Sequence, residues 1–360
     1  MAKRPHARSL LIALCAALCA AGAAIAQPQY PSPTLGEATR VMRTPTGAPA
    51  PVDMIAKVMR RVDLDDYRLP GEGDYCAALQ RAHDAIPGGA IHLPVGVVQL
   101  GTSSQACQIE WTRPIRLVGQ GWSETHVSGS VIYIPAPPVG WNGAATFHVT
   151  STAARGSVFS GFSIRQDQPP PAAGWTPTVY PPVWSLSNTA GGVIITDLLA
   201  APVYDLVRAD LSGRLEVSHI RGQVLHSVVA VDRSYDSDRY DAWHIWPYWS
   251  SHASVRDWQQ SNLVAMTLGR VDTPFVDRIF MIWGRTLLAA SGSANGVPSK
   301  IKAGALACDG CYKAVTVSAN NVTGSIASLM WQGRTRPRLP ASARRDPAAA
   351  RLTCRASRRA

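Results

Sequence analysis

Downstream of about residue 115 the chain repeats a pattern rather than a sequence. Short β-prone segments, each with apolar residues flanking a two-residue step, recur as Phe159-Ser160-Gly161-Phe162, Val217-Ser218-His219-Ile220, Ala242-Trp243-His244-Ile245, Val276-Asp277-Arg278-Ile279 and Ala319-Asn320-Asn321-Val322. Their spacing suits one or two coils of a parallel solenoid, at roughly 20 to 30 residues per coil with inserted loops. A second register follows the first at Val228–Val231, Val264–Leu268 and Leu287–Ala290. Strands of a solenoid stack on their equivalents in neighbouring coils, so the interior is buried while the sequence repeats only in pattern. Turn residues separate these segments and no long amphipathic helix interrupts them, which makes the expected fold class all-β.

The one helix expected precedes the coils. Asp74 is placed to cap it, Tyr75, Leu79, Ala82 and Ile86 share a face, and Pro87-Gly88-Gly89 stops it. Ile91 and Leu93 then alternate with small or polar neighbours, Pro94-Val95-Gly96 turns the chain, and Val98 and Leu100 resume the alternation.

The stretch from Gly73-Asp74-Tyr75-Cys76 through Ile86-Pro87-Gly88-Gly89-Ala90-Ile91-His92-Leu93-Pro94 resembles the opening of the pectate-lyase-like superfamily, and Ile115-Arg116-Leu117-Val118-Gly119-Gln120-Gly121 looks like that family's next coil. Gly71-Glu72-Gly73-Asp74 approximates the family's Gly-Asp-Gly opening turn. The resemblance covers about Leu69 to Gly121. It implies a right-handed parallel β-helix whose N-terminal end is closed by the helix, as in rhamnogalacturonan-degrading enzymes, epimerases and phage tailspikes. It speaks to fold rather than to activity, because the superfamily hosts hydrolases, lyases, epimerases and pure binders.

The net charge of +11 suggests a nucleic-acid binder until it is located. Lys3, Arg4 and Arg8 carry three of these charges, and nine Arg against one Asp in residues 334–360 carry the other eight. The body is balanced, which argues against a phosphate-tracking groove. Basic residues before an apolar run from Leu10, ending in Ala24-Ile25-Ala26, read as a signal peptide over 1–26. A Pro-rich leader (27–62), a β-helix domain (63–333) and a basic tail (334–360) follow. The tail is expected to be disordered and dispensable, and it has the look of a shifted reading frame or truncation. No other stretch is suited to span a membrane, so the expected location is the periplasm or outside the cell.

Export leaves five cysteines in an oxidising compartment. Cys76 and Cys107 both lie near the N-terminal end and are expected to pair. Cys308 and Cys311 read as a structural disulfide or two inert thiols, since zinc needs four ligands and no second close pair accompanies them.

The densest mixture of polar and aromatic side chains runs from Asp232 to Trp258. Sugar rings lay C–H faces on aromatic planes while their hydroxyls bond to carboxylates and Arg, so this mixture suits a polysaccharide groove. The strands at Val228 and Val264 run into polar corners, Asp232–Asp236 and Gly269–Asp272, and corners of adjacent coils stack about 4.8 Å apart. Candidate catalytic residues are Asp236, Asp238, Arg270, Asp272 and His244. Candidate substrate-binding residues are Arg233, Trp246, Tyr248 and Trp249. Two carboxylates about 5 to 9 Å apart would divide acid and base roles in glycoside hydrolysis. Alternatively, an Arg or His would take the C5 proton of a uronate while Arg or a cation, calcium being the candidate, neutralises its carboxylate. No protein metal site is expected from the residues. The bland reading of the same corners is a ladder of Asp–Arg pairs satisfying exposed turns, with aromatics filling the coil. His244 aligns with His219 in the repeat, as a structural column would, and Asn320-Asn321 suits an Asn ladder. The Pro-rich stretch Gln166–Trp184 reads as a surface loop overhanging the groove. The expectation is an exported protein that binds a polysaccharide and cleaves or epimerises it. The alternatives are a non-catalytic glycan-binding or cell-surface solenoid and a truncated, inactive enzyme.

Overall fold

The computed structural model describes residues 61–333 apart from 139, 140 and 142–144, together with a two-residue strand at Thr353–Cys354. The expected signal peptide and nearly all of the expected leader and tail lie outside the described residues.

Every pairing between the strands named below is parallel, and each strand bonds to its equivalent one coil away. The first coils carry β1 (Arg61–Asp63), β2 (Gly89–His92), β3 (Gly96–Gln99), β4 (Ile109–Glu110), β5 (Ile115–Val118), β6 (Ser130–Ile134) and β7 (Phe147–Val149). The middle coils carry β8 (Val158–Gln166), β9 (Trp184–Ser187), β10 (Ile194–Asp210), β11 (Glu216–Asp232) and β12 (Arg239–Ile245). The last carry β13 (Val264–Leu268), β14 (Phe275–Ile282), β15 (Thr286–Ala290), β16 (Ile301–Cys311), β17 (Lys313–Val317) and β18 (Gly324–Gly333), with β19 (Thr353–Cys354) paired to β18. The result is a parallel β-helix with three faces, and crossovers between parallel strands run right-handed.

The first face stacks β1, β2, β5 and the starts of β8, β10, β11, β12, β14, β16 and β18. A one-residue bend then turns each middle coil onto the second face. Asp197, His219, Ala242 and Arg278 hold that bend at φ between 50° and 56°, and Gly161 takes the position at φ 77° in the coil before them. The third face stacks β4, β7, β9, the C-terminal ends of β10 and β11, then β13, β15 and β17.

Because side chains alternate along a strand, every second residue of each face points inward and stacks in columns. On the first face one column runs Ile91, Leu117, Phe159, Ile195, Val217, Tyr240, Val276, all buried. On the third one runs Phe147, Trp184, Val207, Val229, Met266, Leu288. Phe147 and Trp184 stack at 5.5 Å with 16° between their planes. Burial of these side chains stabilises the fold by roughly 1.5–3 kcal/mol each.

The register corrects the repeat read from sequence in three places. Tyr240 and Trp243, not Ala242 and Ile245, are the equivalents of Val217 and Ile220. Ile195 and Leu198 form a further copy. Asn320 and Asn321 lie between β17 and β18, outside any strand ladder. His244 therefore has Arg221 and Phe280 as neighbours, and not His219, which sits at the bend.

Helix α1 (Cys76–Ala85) buries Ala78, Leu79, Ala82 and His83, and Asp74 Oδ1 accepts the N–H of Cys76 at 2.6 Å. Cys76 is joined to Cys107, with Cα atoms 5.7 Å apart, and Cys308 is joined to Cys311. A second helix, α2 (Ala253–Asn262), had no counterpart in the sequence reading. Its buried positions are Val255, Gln259 and Gln260, too polar a set for a hydrophobic stripe. Val255 and Trp258 pack in a small apolar cluster with Leu225, and side-chain amides add to this, Gln259 Nε2 donating to the Val224 carbonyl and Gln260 Nε2 to the Gly310 carbonyl. Neither helix is long and apolar enough to cross a membrane.

Candidate functional site

The outward column of the third face forms a groove. Val207, Ala209, Val229 and Val231 point inward, so Arg208, Asp210, Ala230 and Asp232 point out. Two adjoining cavities lie over this floor. One of about 460 Å³ is lined by Arg208, Asp210, Asp232 and Thr267, with Ser293 and Asn295 from the β15–β16 loop as its wall. The other, of about 230 Å³, is lined by Pro182 from the Pro-rich loop and by Asp205, Arg208, His226 and Ser227. Arg208, Ala230 and Thr267 belong to both.

Within the smaller cavity His226 Nδ1 lies 2.7 Å from Asp205 Oδ1. The Tyr204 ring lies parallel to the imidazole, 5.0 Å away at 11°. Asp205 of β10 is the register partner of Ser227 on β11, so His226, the residue before Ser227, lies diagonally across from it. Gln166 pins the same segment by accepting the Tyr204 N–H at 2.6 Å. The hydrogen bond to Asp205 raises the pKa of His226 above its ordinary value, against an opposing effect of burial. Burial and the Asp205 charge push the Tyr204 phenol up as well. Ser227 Oγ is buried without a hydrogen-bond partner. Arg208 is exposed and makes no ion pair among the described residues.

The groove's other carboxylates are occupied. Asp210 accepts from both Nε and Nη2 of Arg233. Asp232 Oδ1 accepts from the backbone N–H groups of Arg233 and Arg270 and from Ser293 Oγ, and its Oδ2 accepts from Asn295 Nδ2. Burial alone would raise Asp232, but these four donors outweigh it and hold the carboxyl below its usual range. Arg208 is thus the uncompensated charge of the groove.

The residues singled out by sequence are dispersed over the fold. Arg233 is at the groove's edge through its pair with Asp210. The rest of the corner set points elsewhere, each member with its own partner. Asp236 pairs with Arg214 at 2.9 Å, and Asp272 accepts from Ser299 Oγ at 2.8 Å with Lys300 Nζ at 3.6 Å. The Ser299 bond is the main cause that lowers the Asp272 pKa. The Arg270 guanidinium lies 5.1 Å from the Tyr235 ring centroid. Asp238 is fully buried, accepts from the Leu215 N–H and the Tyr240 hydroxyl, and is pushed up to about 6 by burial. His244, Trp246 and Tyr248 are on or beside the second face. Trp249 is half-buried, 5.8 Å from Trp175 of the Pro-rich loop, in a small cluster with Leu225, Val255 and Trp258. No group of three or more His, Cys, Asp or Glu among the described residues is arranged to hold a metal ion.

Sequence reasoning did not find Asp205, Arg208, Asp210 or His226. The available signal was the set of charged residues that interrupts the two long apolar strands β10 and β11. Asp210 and Asp232, the last residues of those strands, are register partners.

No family model matches the chain, and no curated protein matches it. Among solved structures it is similar to the A-module of the Azotobacter vinelandii mannuronan C-5 epimerase AlgE4, with 12% identity and a TM-score of 0.38 over 74% of this chain and 76% of that one. An iota-carrageenase complexed to iota-carrageenan fragments gives 14% identity and a TM-score of 0.39, over 72% and 57% of the two chains. The family GH82 iota-carrageenase from A. fortis gives 15% and 0.41, over 72% and 55%. The chain thus spans little more than half the length of either carrageenase.

Proposed function

We propose that this chain is an exported polysaccharide lyase acting on a uronate-containing polymer bound in the third-face groove. The observation that carries the reading is one cavity holding both an Asp-oriented imidazole, His226, and a cation without an ion-pair partner, Arg208. Asp205 fixes the proton on Nδ1, which leaves the Nε2 lone pair free to act as a base. Arg208 matches a carboxylate in geometry and charge, and neutralising that carboxylate acidifies the adjacent C5–H.

His226 Nε2 takes the C5 proton. The C–H electron pair becomes the C4–C5 double bond, the C4–O bond breaks, and the imidazolium returns the proton to the departing oxygen. One titrating group suffices for this sequence. Epimerisation needs a second donor on the opposite side of the ring, and the groove's other acids, Asp205, Asp210 and Asp232, are committed to partners. Hydrolysis needs a carboxylic acid that stays protonated near neutral pH. Asp238 is the carboxyl that burial pushes up, to about 6, and it is fully buried and lines neither cavity.

Incubation with a panel of acidic and neutral polysaccharides, following ultraviolet absorbance and reducing ends together, tests the reading. Equal growth of unsaturated and reducing ends supports elimination. Reducing ends alone would make the chain a hydrolase. Binding without either product would make it a non-catalytic solenoid.

A further inference from the structure

The second face carries a separate arrangement that the groove does not use. Its outward column runs Leu199, Arg221, His244, Phe280 through successive coils. The His244 ring is nearly parallel to Phe280, 5.3 Å away at 20°, and to Trp246, 5.7 Å away at 20°. Tyr248 Oη is 2.7 Å from His244 Nδ1. Burial is the largest cause lowering the His244 pKa, so the imidazole is neutral at neutral pH. Trp246 is 42% exposed, which no packing requirement explains.

The other end of this row is walled by the segment between β5 and β6. Trp122 Nε1 donates to Asp197 Oδ1 at 2.9 Å and the Ser123 N–H donates to Ser163 Oγ at 3.1 Å, which pins the segment onto the face. The Arg221 guanidinium lies over the Trp122 ring, 4.6 Å from its centroid, and makes no ion pair among the described residues. The carboxylate whose charge acts on His244 and Tyr248 is Glu124 of the same segment.

From this row of rings, Trp246 exposed and Phe280 half-buried, ending in a guanidinium without an ion pair among the described residues, we infer that the second face is an independent binding platform for an anionic glycan, laid along the solenoid axis with sugar rings on Trp246 and Phe280 and a carboxylate or sulfate at Arg221. Arg221 and Phe280 are two rungs apart, about 10 Å, a span of a few sugar units. Aromatic faces take sugar rings, and the guanidinium selects the charged polymer over a neutral one. The inference shares its ligand class with the proposed lyase but none of its residues, and it stands whether or not the groove is catalytic.

The test is calorimetric titration of the full chain and its variants with an oligouronate, a sulfated oligosaccharide of equal length and a neutral oligosaccharide. His226→Gln is included so that chains are not degraded during the measurement. Trp246→Ala and Arg221→Gln, each added to His226→Gln, are expected to weaken binding of one anionic probe roughly 3- to 10-fold. Arg208→Gln, added likewise, should leave the platform's share of binding in place. Which anionic probe binds tells carboxylate from sulfate recognition. Unchanged affinity in both platform variants, equal binding of the neutral probe, or no binding of either anionic probe overturns the inference. Trp246→Phe, which keeps a ring, should retain most of the affinity, and a loss equal to that of Trp246→Ala would also count against it. If the platform variants bind weakly while turnover of short oligouronates persists, the platform stands and the groove reading is untouched. If turnover is absent but platform binding is present, only the lyase reading fails.

Discussion

His226 and Asp205 stand on adjacent coils, 21 residues apart in the chain, with Nδ1 and Oδ1 separated by 2.7 Å on the outer surface of the solenoid. The contact is diagonal, since the register partner of Asp205 is Ser227, the residue after His226. It orients an imidazole toward a cavity whose remaining carboxylates are neutralised. The pair therefore does more than satisfy a turn, and its consequences are measurable.

Asp205→Asn should lower turnover on a uronate polymer by about 10²-fold, at the low end for a disabled acid or base. Asp205 raises the His226 pKa, and the base must be unprotonated to act. The acid limb of the pH–rate profile should therefore move to lower pH in Asp205→Asn even as the maximum falls. A profile that moves upward would show that Asp205 does not hold the imidazole.

The same raised pKa has a signed effect on stability. His226 gains its partner on folding, so its contribution is fully present below the ordinary His value of 6.5 and is lost as pH rises through the raised folded value. Denaturant unfolding of wild type and His226→Gln should differ most in mildly acid solution and converge as the pH is taken above 6.5 through that raised value. A difference that grows with pH would have the wrong sign.

Asp238 behaves oppositely to a paired carboxylate. Its folded pKa is raised from 3.8 to about 6 by burial, so folding favours the protonated acid and stability falls as pH rises through that window. The shift corresponds to roughly 3 kcal/mol as an upper bound. Asp238→Asn should match wild type near pH 4 and be the more stable protein at pH 7, because the amide keeps an acceptor for the Leu215 N–H and the Tyr240 hydroxyl can turn to accept from it. Loss of stability at both pH values would mean that the charged form is held favourably.

Asp236 and Asp272 provide the contrast between the sequence-based site and the structural one. Each is tied to a partner away from the groove cavities, so Asp236→Asn and Asp272→Asn should change turnover by no more than a few-fold. A loss of ~10² or more in either, the scale of a missing acid or base, would return the catalytic assignment to the corners.

Replacing Cys76 and Cys107 together by Ala should destabilise the chain by about 4 kcal/mol if closing that 31-residue loop acts chiefly on the unfolded state. Thermal unfolding of the oxidised and doubly substituted proteins measures it. Equal melting temperatures would show that α1 is held by its packing alone.

The solenoid was legible in the sequence because Val217/Ile220 and Val276/Ile279 keep their spacing across coils. It blurred at Ala242, because the bend between faces falls on Asp197, His219, Ala242 and Arg278, four residue types with no shared turn signature. One coil was thus read two residues out of phase, and His244 was matched to His219 instead of Arg221. The rim of the site was legible for a different reason: Arg233 lies in a polar corner dense in charge. Its floor was not, since Asp205, Arg208 and His226 are single polar residues within 17-residue apolar strands. Asp205 and His226 meet one residue off the ladder, Asp205 being the partner of Ser227, so alignment of equivalent positions does not pair them. Helix α2 carries no apolar stripe to reveal it, since Val255 and Trp258 are its main apolar contacts and amides supply much of the rest.

The proposed elimination turns on His226 as its base. The most direct measurement is the rate of formation of unsaturated ends from a polyuronate by wild type and by His226→Gln under identical conditions. The predicted result is accumulation of unsaturated product by wild type and a rate lower by about 10² to 10⁴-fold in the variant, with the two proteins unfolding alike above the pH at which the ion pair is lost. Unsaturated product formed at similar rates by both proteins, or none formed by wild type from any polyuronate it binds, would contradict it.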